Sequence, residues 1–296
     1  MNHEKLKLFI KLAEMSSFSR CAQQQHISAS KLSRVIQSME EELSVVLFER
    51  DNRHVELSNE GKRFLRFARE QLQRWETFSE NLRSRSGELS GSVSIYCSVT
   101  ASYSFLYDIL AKFRAEQPLI QIKLHTGDSA DALERVSKGQ EDIAIAAKPQ
   151  KLGAGLSFKQ FDSSPLIFIC SADDKRFEQE LNKGSNSEWE NIPMIVSERG
   201  LARERFNDWV QAKGFTPKIY SQVTGNEAIV SMVSLGFGVG LIPQIVVENS
   251  PLKDKVKEFK FQPDIEAYEV GACVQSRRLK SPLVNALWEL INNHSN

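Results

Sequence analysis

The sequence predicts a mixed chain of α+β and α/β classes: an N-terminal winged helix-turn-helix, a long linker helix, and a two-lobed, doubly wound α/β domain. Three observations carry that prediction. Residues 28–61 join a serine-capped amphipathic helix to Leu47, Phe48, Arg50, Arg53, Leu57, Ser58 and Gly61 at fixed offsets. Between Leu65 and Leu82, apolar residues recur at spacings of three and four. Beyond a stretch rich in serine and glycine at 84–92, strand-like and helix-like segments alternate, as they do in sheets flanked by helices.

The first helix is marked by Leu6, Phe9, Ile10 and Ala13, and the second, Phe18 to Gln24, is entered after Ser17. Ser28 caps the third, because a hydroxyl there accepts a backbone N–H that has no partner inside the helix. Leu32, Val35, Ile36, Met39 and Leu43 form its apolar stripe, which is expected to face the core. Ala29, Ser30, Ser33, Arg34 and Gln37 make the opposite face, small and polar toward the N-terminal end, where a recognition helix meets base edges.

The 296-residue chain is neutral, with 38 basic and 38 acidic residues, so its overall composition says nothing about nucleic acid. Locally the balance differs. Residues 5–37 hold six basic side chains (Lys5, Lys7, Lys11, Arg20, Lys31, Arg34) against Glu14, a net of 6 − 1 = +5. Such a concentration is the footprint of phosphate contact. Glu40, Glu41 and Glu42 read as a solvated run that ends this face. Leu47 and Phe48 are followed by the turn residues Asp51 and Asn52, and Val55 and Leu57 alternate with His54 and Glu56. The pattern predicts a hairpin with Arg50 and Arg53 near its tip, placed to grip flanking phosphates or enter a minor groove.

The run Ser28, Ala29, Ser30, Lys31, Leu32, Ser33, Arg34, Val35, Ile36, followed by Glu40, Leu43, Leu47, Phe48, Arg50, Arg53, Leu57 and Gly61, resembles the N-terminal signature of LysR-type transcriptional regulators. Length and domain order agree over the whole chain. Three positions depart from the usual pattern: Ser44 replaces glycine, Met39 replaces leucine and Ser58 replaces threonine. The resemblance implies double-stranded operator DNA and RNA polymerase as partners, with self-association as a dimer or tetramer. It also implies DNA contact by Ser28, Ala29, Ser30, Lys31, Ser33, Arg34 and Gln37 on the helix and by Arg50 and Arg53 on the wing.

The linker helix is capped by Ser58, and its seam of Leu65, Ala68, Leu72, Trp75, Ser79 and Leu82 wants a partner helix. Packing against its own domain is one solution. Pairing with a second copy through Leu65, Leu72 and Trp75 is the other, and the symmetry of helix-turn-helix operators favours it.

Strands are expected at Val93–Cys97, Ile120–Leu124, Ile143–Ala147, Leu166–Cys170, Met194–Ser197, Lys218–Val223 and Tyr268–Val274. Helices are expected at Tyr103–Ala115, Asp131–Lys138, Ala202–Lys213, Glu227–Leu235 and Leu283–Asn292. This is too much chain for one short sheet, so two lobes around a cleft fit better. The resemblance likens this part to two-lobed periplasmic binding proteins. It implies a DNA-binding domain at 1–58, a linker and hinge at 59–90 and an effector domain at 91–296. Lobe I then takes 91–161 and 268–296, and lobe II takes 162–267.

In open α/β sheets a ligand sits beyond the carboxyl ends of the strands, where helix N-termini offer free N–H groups. Ser98, Thr100 and Ala101 occupy that place after the first strand, and spacing alone allows them either a helix cap or a ligand contact. The resemblance assigns Thr100, with Ser98 and neighbouring N–H groups, the carboxylate of an effector. Gly127 and Asp128, Ala147 and Lys148, Glu198, Arg199 and Gly200, and Thr224, Gly225, Asn226 and Glu227 stand at other strand ends. Arg203 could add a guanidinium from the first turn of its helix. A narrower likeness, at Cys97–Ala101, Thr126–Asp128, the Arg50–Arg53 wing and Glu227–Val233, is to the branch that governs the acetohydroxy-acid isomeroreductase gene. It implies a small-molecule effector, acetolactate or acetohydroxybutyrate, and no cofactor. Chemically the site would suit many small acids equally.

Other classes fit less well. Ser98, His125 and Asp128 could be imagined as a hydrolase triad, yet no nucleophile elbow surrounds Ser98. Gly236, Gly238 and Gly240 mimic a dinucleotide fingerprint but lead into Leu241, Ile242 and Pro243, as a turn into a strand does. Cys21, Cys97, Cys170 and Cys273 are too scattered for a metal site or redox pair. The N-terminus is charged from Glu4 onward and no apolar signal segment or membrane span is seen, so the chain is expected in the cytoplasm.

Overall fold

Side-chain caps begin each of the three helices that open the chain. The computed structural model describes residues 2–50, 55–84, 88–175, 189–259 and 265–292. They fall into two compact units, residues 1–88 with the short stretches 138–140 and 280–282, and the remainder. In the first unit Asn2 caps α1 (His3–Met15), Ser17 caps α2 (Phe18–Gln24) and Ser28 caps α3 (Ala29–Leu43), each side chain accepting a first-turn N–H. Leu6, Phe9 and Leu12 of α1 pack with Cys21 of α2 and with Leu32, Ile36 and Met39 of α3. Leu43, expected in the same stripe, is 37% exposed, because the last turn of α3 runs past the core.

The wing pairs β1 (Phe48–Arg50) with β2 (Val55–Leu57), antiparallel, with Phe48 opposite Leu57. Its tip lies outside the described residues, and so do Arg53 and the side chain of Arg50. Glu40 does not belong to a solvated run. Its Oε1 accepts the N–H groups of Leu47 (2.8 Å) and Phe48 (3.1 Å) and so anchors the wing to α3. Ser58 Oγ donates to the Val46 carbonyl (2.6 Å) and accepts the N–H of Gly61 (2.9 Å). A side chain at Gly61 would collide with the Leu47 carbonyl oxygen, which is why the close approach there needs glycine.

In α4 (Asn59–Ser84) the two sides of the helix separate. Ala68 and Leu72 are buried and Leu65 is partly buried, all against the unit's own core. This corrects the expected interchain role of Leu72, whose side chain is covered by its own domain, while Leu65 is covered only in part. Trp75 is 50% exposed and continues into Phe78 and Leu82, also exposed, at spacings of three and four.

The second unit holds two five-stranded sheets. The first contains β3 (Gly91–Cys97), β4 (Ile120–Thr126), β5 (Ile143–Ala147), β6 (Leu156–Ser164) and β12 (Tyr268–Gln275), in the order β4-β3-β5-β12-β6. The second contains β7 (Leu166–Ser171), β8 (Pro193–Ser197), β9 (Lys218–Val223), β10 (Val239–Pro243) and β11 (Val256–Glu258), in the order β11-β7-β10-β8-β9. The expected parallel strands form the heart of each sheet, β3 with β4 and β5, and β8 with β9 and β10. Antiparallel strands complete them, because the chain crosses between sheets at Pro165 and again on its way into β12. Gly236 to Gly240 do turn into a strand, β10.

Helices α5 (Val99–Ser104), α6 (Leu106–Glu116) and α7 (Ala132–Ser137) belong with the first sheet, and α8 (Leu201–Lys213), α9 (Asn226–Ser234) and α10 (Gln244–Glu248) with the second. The last helix, α11 (Pro282–Asn292), buries Leu283, Leu287 and Ile291. The single helix expected at Tyr103–Ala115 is two, broken at Phe105. Among the described residues, no helix is long and apolar enough to cross a membrane.

Candidate functional site

Two surfaces gather the residues singled out in the sequence. The first is the outer face of α3. Ser28 Oγ accepts the Lys31 N–H (3.1 Å) and lies 3.1 Å from Ser30 Oγ, which fixes the start of the helix. Ala29, Ser30, Lys31, Arg34 and Gln37 are exposed and Ser33 is half-buried. Three of the six basic side chains brace the fold instead. Lys5 donates to Ser38 (3.1 Å), Lys11 pairs with Glu14 (2.9 Å) and Arg20 donates to the Met15 carbonyl (3.0 Å). Lys31 and Arg34 thus carry the positive charge of the α3 face.

The second surface is a cavity of about 190 Å³ between the two lobes of the second unit. Its walls include Asp128, Ala146, Ala147 and Tyr268 from the first lobe and Ser197, Arg199, Gly200, Gly225 and Asn226 from the second. These residues cluster at the carboxyl ends of β5, β8 and β9, where the fold class places a ligand. Two bridges hold the lobes together beside it. Arg199 meets Asp131 through two hydrogen bonds (2.6 and 3.1 Å) and Asp128 at 3.1 Å. These carboxylates, Asp131 above all, hold the guanidinium still more firmly protonated than usual. At the other bridge Glu227 Oε1 accepts both the N–H (3.1 Å) and the hydroxyl (2.7 Å) of Thr100. The lobes also touch at Gly200, where a Cβ would lie 2.7 Å from the Cβ of Ala130.

Several expected site residues are committed elsewhere. Thr100 is buried, and the donors expected to hold an effector carboxylate hold Glu227. Ser98 caps α5 by accepting the Ala101 N–H (3.1 Å), so both are engaged locally. Gly127 is packed too tightly on the Tyr96 hydroxyl to carry a side chain. Lys148 is paired with Glu269 (2.5 Å) outside the cavity wall, and Glu198 accepts the Thr224 hydroxyl (3.0 Å). Arg203 is tied to the Ser197 carbonyl (3.2 Å), Gln222 (2.9 Å) and Asn207 (3.1 Å) and is not among the residues that line the cavity. Arg199 and Asn226 do line the cavity.

Tyr268 and Asp131 were not foreseen. Tyr268 opens β12, and because that strand runs antiparallel, its first residues lie beside the carboxyl end of β5, with Val270 opposite Ala147. A search of strand ends in the sequence passes over it. Asp131 sits in a short 3₁₀ turn ahead of α7 and has no signal of its own in the sequence.

Comparison with known proteins bears on both surfaces. Residues 3–62 match the family described as "Bacterial regulatory helix-turn-helix protein, lysR family", and residues 86–296 match the "LysR substrate binding domain". The chain is 39% identical to the HTH-type transcriptional activator IlvY of Haemophilus influenzae over 297 residues, covering 98% of this chain and 100% of the relative. It is 39% identical to the HTH-type transcriptional regulator IlvY of Escherichia coli K12, covering 99% and 100%. Among solved structures, CbnR, a LysR family transcriptional regulator, superposes with a TM-score of 0.66 at 18% identity over 100% of both chains. These relatives are regulators and not enzymes.

Proposed function

The chain belongs to the LysR family of bacterial regulatory helix-turn-helix proteins, and from that premise we propose that it activates the acetohydroxy-acid isomeroreductase gene in response to acetolactate or acetohydroxybutyrate. The observation that carries this reading is the full-length identity to IlvY proteins, which spans the DNA-reading unit and the effector unit alike. Similarity confined to the helix-turn-helix would support DNA binding and no more.

In this reading residues 1–58 bind the operator, 59–90 link and pair two copies, and 91–296 sense the effector. Ser28, Ala29, Ser30, Lys31, Ser33, Arg34 and Gln37 address the major groove, and Arg50 and Arg53 address flanking phosphates. The exposed stripe of Trp75, Phe78 and Leu82 pairs two chains in the cytoplasm, and the assembled regulator engages RNA polymerase. The interlobe cavity takes the effector. At about 190 Å³ it is smaller than the roughly 300–1,000 Å³ of drug-sized pockets, a size suited to a small hydroxy-keto acid. Occupancy shifts the balance between closed and open lobes only as far as the acid prefers one of them.

The test is transcription from the isomeroreductase promoter with purified protein and polymerase. Addition of acetolactate raises transcript several-fold while the protein protects the promoter with or without it. Protection of the promoter with no response to either acid would reject the effector, and no protection would reject the target gene.

A further inference from the structure

We propose that a polar clasp on the linker helix couples the state of the lobes to the DNA-reading unit. Gln73, Glu80 and Asn81 of α4 hold the turns after α7 and before α11, and α7 joins that clasp to the interlobe bridge at Asp131. The inference deepens the reading of the cavity as the effector site, on which it rests only for what opens or closes the lobes.

The clasp is a third face of α4. Opposite the exposed stripe of Trp75, Phe78 and Leu82, polar residues recur at spacings of four and three: Gln73, Thr77, Glu80 and Asn81. Gln73 is buried, and its Nε2 donates to the Gly139 carbonyl (3.4 Å). Asn81 Nδ2 donates to the Lys280 carbonyl (3.1 Å), and Glu80 Oε2 accepts the hydroxyl of the fully buried Ser281 (2.5 Å). Residues 138–140 and 280–282 accordingly belong to the same compact unit as α4. Gly139 is needed here on two counts. Its φ is +64°, and a Cβ would lie 2.7 Å from the Gln73 amide nitrogen.

The chain on either side of the clasp is tied to α7. Gln275 Nε2 donates to the carbonyls of Val136 (2.8 Å) and Ser137 (2.9 Å), which have no partner inside the helix. The buried Arg278 donates to Asp142 (2.5 and 3.0 Å), so the segments that enter and leave the two turns are locked together. At the other end of α7, Asp128 accepts the Ala130 N–H (3.1 Å) and Asp131 is held by Arg199 of the second lobe. Between these ends Ala132 and Val136 pack with Tyr96, Ala144, Ala146 and Cys273, a cluster apart from the main core. A two-turn helix fixed at both ends moves as one piece. Withdrawal of Arg199 from Asp131 as the lobes open acts on its start, and the clasp passes the change to α4. Such a coupling is reciprocal, so DNA bound to the first unit must act back on α7.

Two variants test this. Gln73→Met keeps an unbranched side chain and removes its donor, and Ser281→Ala removes the hydroxyl from Glu80. Neither residue lies on the α3 face or the cavity wall. Hydrogen–deuterium exchange over residues 132–142 is measured on the full-length proteins, without acid, with and without a DNA duplex that the protein itself selects from random sequence. Duplex binding should change exchange there by about fivefold or more in the wild type, the scale of coupling between sites. Each variant should bind the duplex as tightly and lose that change. No change in the wild type, or the full change in both variants, overturns the clasp. Loss of duplex affinity in both variants would reduce it to a structural brace and overturn it equally. A second arm uses acetolactate. Both variants should bind it with wild-type affinity by calorimetry, yet show no rise in transcript. A rise equal to that of the wild type would also overturn the clasp. Failure of the wild type to bind acetolactate overturns the effector reading, and the duplex arm then decides the clasp alone.

Discussion

The α3 face and the interlobe cavity are built by opposite means. On α3, residues within ten positions of one another form a surface through helical periodicity, and all but the half-buried Ser33 are exposed. Around the cavity, Asp128, Arg199, Asn226 and Tyr268 come from four segments brought together by two sheets, and their donors and acceptors are already partly satisfied by one another. A DNA-reading surface can therefore be inferred from local pattern. A sensing site cannot, because what each group is free to bind depends on which partner the fold has given it.

The largest expected effect separates the two units. Gly61→Ala puts a methyl group against the Leu47 carbonyl oxygen, and overpacking at rigid backbone should cost the first unit about 3 kcal/mol. Two-step thermal unfolding, with the effector unit unchanged, is the expected outcome. A single unshifted transition would mean that the contact relaxes freely. Next comes Arg34→Ala, which should weaken operator binding by about 1–3 kcal/mol if the guanidinium reads a base. Effector affinity should be the same in both proteins, and unchanged operator affinity at fixed salt would remove Arg34 from the interface.

Thr100→Val sharpens the comparison from the other side. It removes the hydroxyl that donates to Glu227, a charge-assisted bond worth roughly 1.5–3 kcal/mol. The lobes should open more readily, seen as faster hydrogen exchange beside the cleft without effector. An unaltered exchange rate together with lost acetolactate binding would return Thr100 to the effector site. The smallest effect concerns Ser44, which ends α3 with φ +55° and is one of the residues in the left-handed region that is not glycine. Ser44→Gly should raise the melting temperature of the first unit slightly, by about 1 kcal/mol of stability. A lower melting temperature would show that chain entropy outweighs the relieved strain.

The sequence made the elements with strong internal pattern legible. The caps Ser17 and Ser28, the buried Leu32, Ile36 and Met39, and β9 at Lys218–Val223 all stand where periodicity places them. The strand β6 is different. Its residues Leu156–Ser164 lack a clean alternation because it lies at the edge of its sheet, with mixed burial. Glu40 shows the same limit at the level of one side chain. Its neighbours Glu41 and Glu42 are exposed, and only the return of the chain at Leu47 gives it two N–H groups to accept. In the site, Arg199 and Asn226 could be anticipated as strand-end residues. The pairing of Thr100 with Glu227, 127 positions away, could not, since no local spacing links lobes that the chain crosses between twice.

Where a small acid acts within the chain separates the two surfaces, and hydrogen–deuterium exchange with and without acetolactate measures that directly. The account predicts slower exchange at the first turns of α8 and α9 and at the start of β12, with no change on α3, because the acid binds the effector unit and reaches the DNA-reading helix only through the equilibrium between conformations. Slower exchange confined to residues 2–50, or none at 201–204 and 226–229 under saturating acid, would contradict it.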